Sequence, residues 1–221
     1  MNLHIQQKKF WEDKRRSKRR LPNHPVVRAF VSPKINFILE NLKLSKKTTL
    51  LDVGCGNGFF TYHLGKLCNV TGLDFSEQML KINPHPRLVN GDAKNLPFNN
   101  NSFDIVFCSN LLHHLENPEI TIREMKRVAK NYVILSEPNR NNPLMFLFGL
   151  IKKEERKSLN FTKRYLNKIC KNINLQPIKA LLSGFIYPNK TSDNKILLSF
   201  LKKLDFNNPL GSYVTIIYKK Q

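Results

Sequence analysis

Acidic residues are scarce in this chain: 16 aspartates and glutamates stand against 37 lysines and arginines, a formal charge of +21. Long apolar runs are missing as well. The longest, Leu144 to Ile151, contains Gly149 and falls far short of the roughly 18 residues that a membrane-spanning helix needs. The start of the chain is polar and basic, so no signal peptide is expected. Cysteine is sparse. Cys55, Cys68, Cys108 and Cys170 form no C-x-x-C pair, which argues against a disulfide framework and against a thiolate metal site. They are expected to be reduced, buried thiols of a cytoplasmic protein. There is no internal repeat and no low-complexity stretch. At 221 residues with 41% hydrophobic content, the chain is expected to form one domain with an ordinary core.

The charge is unevenly placed. Residues 1–50 carry 13 basic and 3 acidic residues, residues 51–150 carry 9 of each, and residues 151–221 carry 15 and 4. Basic ends around a neutral middle suit an anionic substrate, a nucleic acid or an anionic membrane surface. AT-rich coding accounts for them equally well, since lysine and asparagine each occur 26 times.

Periodicity orders the chain. Residues 1–20 are expected to be helical, with Phe10 and Trp11 as anchors and a basic run from Lys14 to Arg20. Residues 26–44 have helical spacing, with Pro33 expected to break the helix and Ser32 to cap its restart. Strands are expected near 49–53, 69–73, 87–90, 103–108 and 131–136. Helices are expected near 58–67, 76–82, 113–115 and 118–130. This alternation predicts an α/β fold, a parallel sheet with helices on both faces. Residues 141–158 read as an insertion. An amphipathic helix is expected over 161–174, a further helix over 193–204, and two late strands over 176–187 and 212–219.

The segment Leu50-Leu51-Asp52-Val53-Gly54-Cys55-Gly56-Asn57-Gly58 reads as a buried strand entering a glycine-rich turn that leads to a helix. Such a turn brings backbone N–H groups close to a ligand. Asp74 closes the next strand, where a carboxylate accepts from both hydroxyls of a ribose. The spacing is G-x-G-x-G with Phe59 following, so it is not the dinucleotide fingerprint. No Lys-Ser or Lys-Thr follows, so it is not a triphosphate loop.

Here the chain resembles the class I S-adenosylmethionine-dependent methyltransferases. Gly72-Leu73-Asp74-Phe75-Ser76 resembles their second motif, Asn90-Gly91-Asp92-Ala93 their third, and Ser109-Asn110-Leu111-Leu112-His113-His114 the segment after their fourth strand. The resemblance covers about residues 45–140. It implies a Rossmann-like seven-stranded sheet, mostly parallel, ending in an antiparallel hairpin. It also implies S-adenosylmethionine as cofactor, held by Asp52, Gly54, Cys55, Gly56, Gly58, Asp74, Phe75, Asp92, Ala93, Asn110 and Leu111. The chain is then expected to be a single methyltransferase domain: a helical cap (1–44), a cofactor core (45–140), a substrate-side insertion (141–175) and a C-terminal hairpin region (176–221).

Methyl transfer needs alignment and desolvation, and needs a base only where the acceptor must lose a proton. His113 and His114 are the candidates for that base, beside a structural alternative for the pair. Glu137 and Arg140, after the fifth strand, are candidate acceptor-binding residues. Ser109-Asn110-Leu111-Leu112 lacks the Pro-Pro of enzymes that methylate nucleobase amino groups, and Cys108 is not preceded by proline as cytosine C5 chemistry requires. The expectation is a small-molecule or lipid-like acceptor, with Leu144 to Ile151 as a lid or as a helix packed at the sheet edge. An RNA methyltransferase and a non-catalytic cofactor-binding subunit stand as alternatives.

Overall fold

A computed structural model describes residue 12, residues 19–205 and residues 207–221. The expected anchors Phe10 and Trp11 and most of the Lys14–Arg20 basic run lie outside the described residues.

The sheet has seven strands in the order β3-β2-β1-β4-β5-β7-β6. They are β1 (Thr49–Val53), β2 (Asn69–Asp74), β3 (Leu88–Asn90), β4 (Phe103–Ser109), β5 (Ala129–Pro138), β6 (Leu175–Ser183) and β7 (Tyr213–Lys220). The first five pair in parallel. β7 lies antiparallel between β5 and β6.

Alternate residues of each strand feed two cores, as a pleated sheet buried on both faces requires. Leu51, Val53, Val106, Cys108, Val133 and Leu135 pack on one face with α4 (Pro118–Val128) and α6 (Lys163–Asn172). Leu50, Ile105, Phe107, Ile134 and Ile217 pack on the other with α1 (Pro25–Asn41), α2 (Phe59–Leu64) and α7 (Lys195–Lys203). The caps are sequence-encoded. Ser76, Asn117, Thr162 and Asn194 each accept a backbone N–H at the start of a helix.

One expectation is corrected. Pro33 does not break the first helix, and α1 runs through it without a restart. Ser32 caps nothing; its hydroxyl donates to the carbonyl of Arg28, 2.6 Å away. The proline forfeits one helical hydrogen bond. Against that loss, Val26, Val27, Phe30, Val31, Ile35, Phe37 and Ile38 are all buried along one side of α1. Each contributes about 1.5–3 kcal/mol for a fully buried side chain.

The insertion forms α5 (Pro143–Ile151) and a 3-10 segment (Lys153–Asn160). No described helix is long and apolar enough to cross a membrane.

Candidate functional site

In the order β2-β1-β4 the chain reverses direction across the sheet, so the loops after β1 and β4 diverge and leave a crevice. A cleft of about 1320 Å³ opens there.

The glycine turn after β1 forms its floor. Gly54 and Cys55 donate N–H bonds to the Leu73 carbonyl at 2.7 and 3.0 Å, which ties the turn to β2. Gly54, Gly56 and Gly58 take positive φ values of 73°, 50° and 90°. At Gly58 the requirement is doubly strict, because a Cβ would stand 2.4 Å from Asn83 Oδ1. Asn83 in turn donates to the Gly56 carbonyl at 3.0 Å. Its role had no signal in the sequence, since it lies in an irregular turn.

Asp74 is buried at the end of β2. One carboxylate oxygen accepts from Gly56 N at 2.8 Å, the other from Ser76 N at 2.9 Å. Burial raises its pKa, against the lowering effect of those two bonds. A carboxylate offers about four lone-pair sites, so it retains acceptor capacity toward the cleft.

Asp52, on β1, accepts from the Thr61 hydroxyl at 2.6 Å. Burial pushes its pKa up to about 7. The folded protein therefore holds this proton up to about pH 7, whereas an unfolded aspartate releases it near 4. Stability is expected to fall as pH rises across that window and to level off above it. In Asp52→Asn the fall is expected to be shallower. A melting temperature with the same pH slope in both proteins would contradict this.

The cleft is lined by twelve of the fifteen residues expected from sequence: Asp52, Gly54, Cys55, Gly56, Asp74, Phe75, Asp92, Ala93, Asn110, Leu111, His113 and His114. Gly58 lies behind the floor as the cap of α2. Asn110 takes a left-handed φ of 54° and donates its N–H to the Ser136 carbonyl, which joins the ends of β4 and β5.

Glu137 and Arg140 are not in the lining, contrary to the expectation that they bind the acceptor. Glu137 is fully buried beneath it. One of its oxygens accepts from Leu111 N and Leu112 N at 3.0 and 2.9 Å, and the other meets His113 Nδ1 at 2.6 Å. Arg140 is turned toward the insertion, where its guanidinium donates to the Leu159 carbonyl at 3.2 Å.

His113 is held at both nitrogens, by Glu137 at Nδ1 and by Glu155 at Nε2, 3.2 Å away. Burial alone would lower its pKa, but the two carboxylates outweigh it and push the value to about 9. An imidazole that is charged at neutral pH is a poor base, so the expectation for His113 as a proton acceptor is not supported. His114 packs against it with ring centroids 4.0 Å apart. Glu155 was not foreseen. It comes from the 3-10 segment of the insertion, where no periodic pattern indicated which side chain turns inward.

Residues 51–135 match the family model described as a methyltransferase domain. That match spans the central part of the chain, from β1 to β5. The demethylmenaquinone methyltransferase of Staphylococcus aureus is 38% identical over 104 residues, covering 42% of this chain and 43% of that protein. The chain thus matches less than half the length of this curated relative. Among solved structures, a SAM-dependent methyltransferase from Thermotoga maritima superposes with a TM-score of 0.71 at 20% identity, covering 89% of this chain and 91% of the other. Magnesium protoporphyrin IX methyltransferase from Synechocystis, with bound SAH, gives 0.60 at 16% identity over 86% and 82%. These likenesses place the fold in the same class. The residues of the cleft fit S-adenosylmethionine, the cofactor that the family resemblance implies. The glycine floor admits close approach of a ligand, and Asp74 faces it as a hydroxyl acceptor.

Proposed function

We propose that the chain is an S-adenosylmethionine-dependent methyltransferase whose acceptor is a small or lipid-like molecule. One observation supports the reading of the acceptor above the rest. Away from the glycine floor, the cleft is walled by Leu115, Ile120, Leu144, Met145, Phe148 and Tyr213. Glu116, Asn117, Lys152, Glu155 and Lys190 also line it, so the cleft suits an acceptor with an apolar body and a polar group. The partial match to a demethylmenaquinone methyltransferase agrees with it.

The cofactor supplies a methyl group on a good leaving group. The chain's own residues do the rest. The glycine floor and Asp74 bind and orient. Glu137 holds the 111–113 backbone rigid at the boundary between cofactor and acceptor. α5 and the segment around Lys190 close the cleft side, with Lys190 Nζ 3.7 Å from the Phe148 ring. Arg20 donates to the carbonyls of Pro188 and Thr191 at 3.1 and 2.7 Å, which ties it to the Pro188–Lys190 side of the cleft.

Incubation with tritiated-methyl S-adenosylmethionine and a fractionated cell extract tests the acceptor class. Label in the lipid or small-molecule fraction supports the reading. Label in RNA overturns it and gives the basic ends a nucleic-acid role. Asp74→Ala is expected to weaken S-adenosylhomocysteine binding by about 1–3 kcal/mol in a calorimetric titration, since a charge-assisted acceptor is lost. Unchanged affinity would remove Asp74 from the cofactor site.

A further inference from the structure

His113, His114 and Glu155 bring one donor atom each to within 4.8 Å of one another, at the wall of the cleft. The 3.2 Å between His113 Nε2 and Glu155 is informative. Two ligands bound to a common ion at about 2.0–2.2 Å stand roughly 3.0–3.5 Å apart. Behind His113, the Nδ1 atom meets Glu137 at 2.6 Å. A carboxylate behind an imidazole fixes its orientation and strengthens its other nitrogen as a ligand. Glu137 and Glu155 flank the ring on both sides, so positive charge is favoured at this place.

The group is also held firmly. Lys157 Nζ donates to the Leu115 carbonyl at 3.1 Å, which docks the 3-10 segment carrying Glu155 onto the turn carrying the histidines. Gly149 lets that segment approach α5, for a Cβ there would stand 2.8 Å from the Leu159 side chain.

We propose that a divalent transition-metal ion takes the place of the Nε2 proton of His113, which is released, and is bound by that nitrogen, a ring nitrogen of His114 and a carboxylate oxygen of Glu155 at the acceptor side of the cleft. Two imidazoles and one carboxylate select zinc, cobalt, nickel or iron over the oxygen-preferring calcium, magnesium and manganese. Three protein ligands leave a position open, and all three residues line the cleft. The ion's task, to hold an oxygen of the acceptor, rests on the methyltransferase reading; the binding site itself does not.

The full chain, stripped with a chelator, is titrated with zinc by competition against an indicator and with cobalt by visible absorption. One ion per chain is expected, with cobalt bands of a nitrogen- and oxygen-ligated site. His114→Ala and Glu155→Gln are expected to weaken zinc binding about 100-fold, and Glu137→Gln about 10-fold by loosening His113. Glu155→Gln is nearly isosteric at a side chain only a quarter exposed, and its melting temperature without metal checks that it folds. Zinc affinity equal in the parent, His114→Ala and Glu155→Gln overturns the proposal, as does cobalt without ligand-field bands. S-adenosylhomocysteine affinity is measured on the same samples. Its loss with metal binding intact would count against the methyltransferase reading alone.

Discussion

Replacing Glu137 by alanine is expected to cost about 3–5 kcal/mol of folding stability. The side chain is fully buried. Its two oxygens serve three donors, Leu111 N, Leu112 N and His113 Nδ1. Removing it leaves two amide groups without their acceptor, the one on Leu112 fully buried, and takes one of two counter-charges from a buried imidazolium. Each stranded amide alone costs about 1–3 kcal/mol. Glu137→Gln is expected to lose less, because the amide oxygen still accepts from Leu111 and Leu112. Its NH2 group, however, would oppose the Nδ1 proton of His113. Urea denaturation of both variants at neutral pH measures the difference. A loss below about 1 kcal/mol in Glu137→Ala would show that the 111–113 backbone finds other acceptors.

Gly211→Ala is the second large effect, at about 3 kcal/mol, near the upper end of the cost of overpacking. A Cβ at this position would lie 2.3 Å from Ser183 N and 2.5 Å from the Leu182 carbonyl carbon. These are backbone atoms of β6, and no rotamer change relieves the clash. The neighbourhood is tied down as well. Gly211 N donates to the Asn208 carbonyl, Gly211 O accepts from Asn139 Nδ2 at 2.8 Å, and Ser212 N donates to the Gly184 carbonyl. The substitution therefore forces the turn before β7 away from β6, or breaks the link to Asn139 beside the cleft. A reduced melting temperature with the m-value unchanged is the expected signature. A variant as stable as the parent would mean that the turn has room to move.

The cofactor side of the cleft was legible because its chemistry is local in sequence. Asp52, Gly54, Gly56 and Asp74 act through strand ends and a tight turn, and those leave marks at short spacing. The central strands were legible as apolar runs between turn residues. The acceptor side was not legible in the same way. Glu155 meets His113 only because a 3-10 segment some forty residues later folds over the turn, and no short spacing encodes that meeting. Glu137 was noticed as a polar residue after an apolar strand and read as facing the cleft. A strand alternates its faces, and the side on which position 137 falls is set by the pairing of β5 with both β4 and β7. Pro33 misled for a different reason. A rule about isolated helices was applied to one whose buried face supplies most of its stability.

The position of β7 has a consequence for how the chain reaches its fold. Among the described residues β6 pairs with no strand but β7, and β7 arrives some thirty residues after β6 has ended. Until then β5 lacks its antiparallel neighbour, and β6 has no ladder to join. During synthesis the nascent chain must therefore carry two unpaired sheet edges while α7 and its flanking loops are made. Unpaired edges are templates for association with other chains. Lys179, on the outer strand β6, is the type of residue that discourages such pairing. Slow, late closure of the sheet is the expected rate-limiting event of folding, and aggregation during expression is where a weakened β7 would first show.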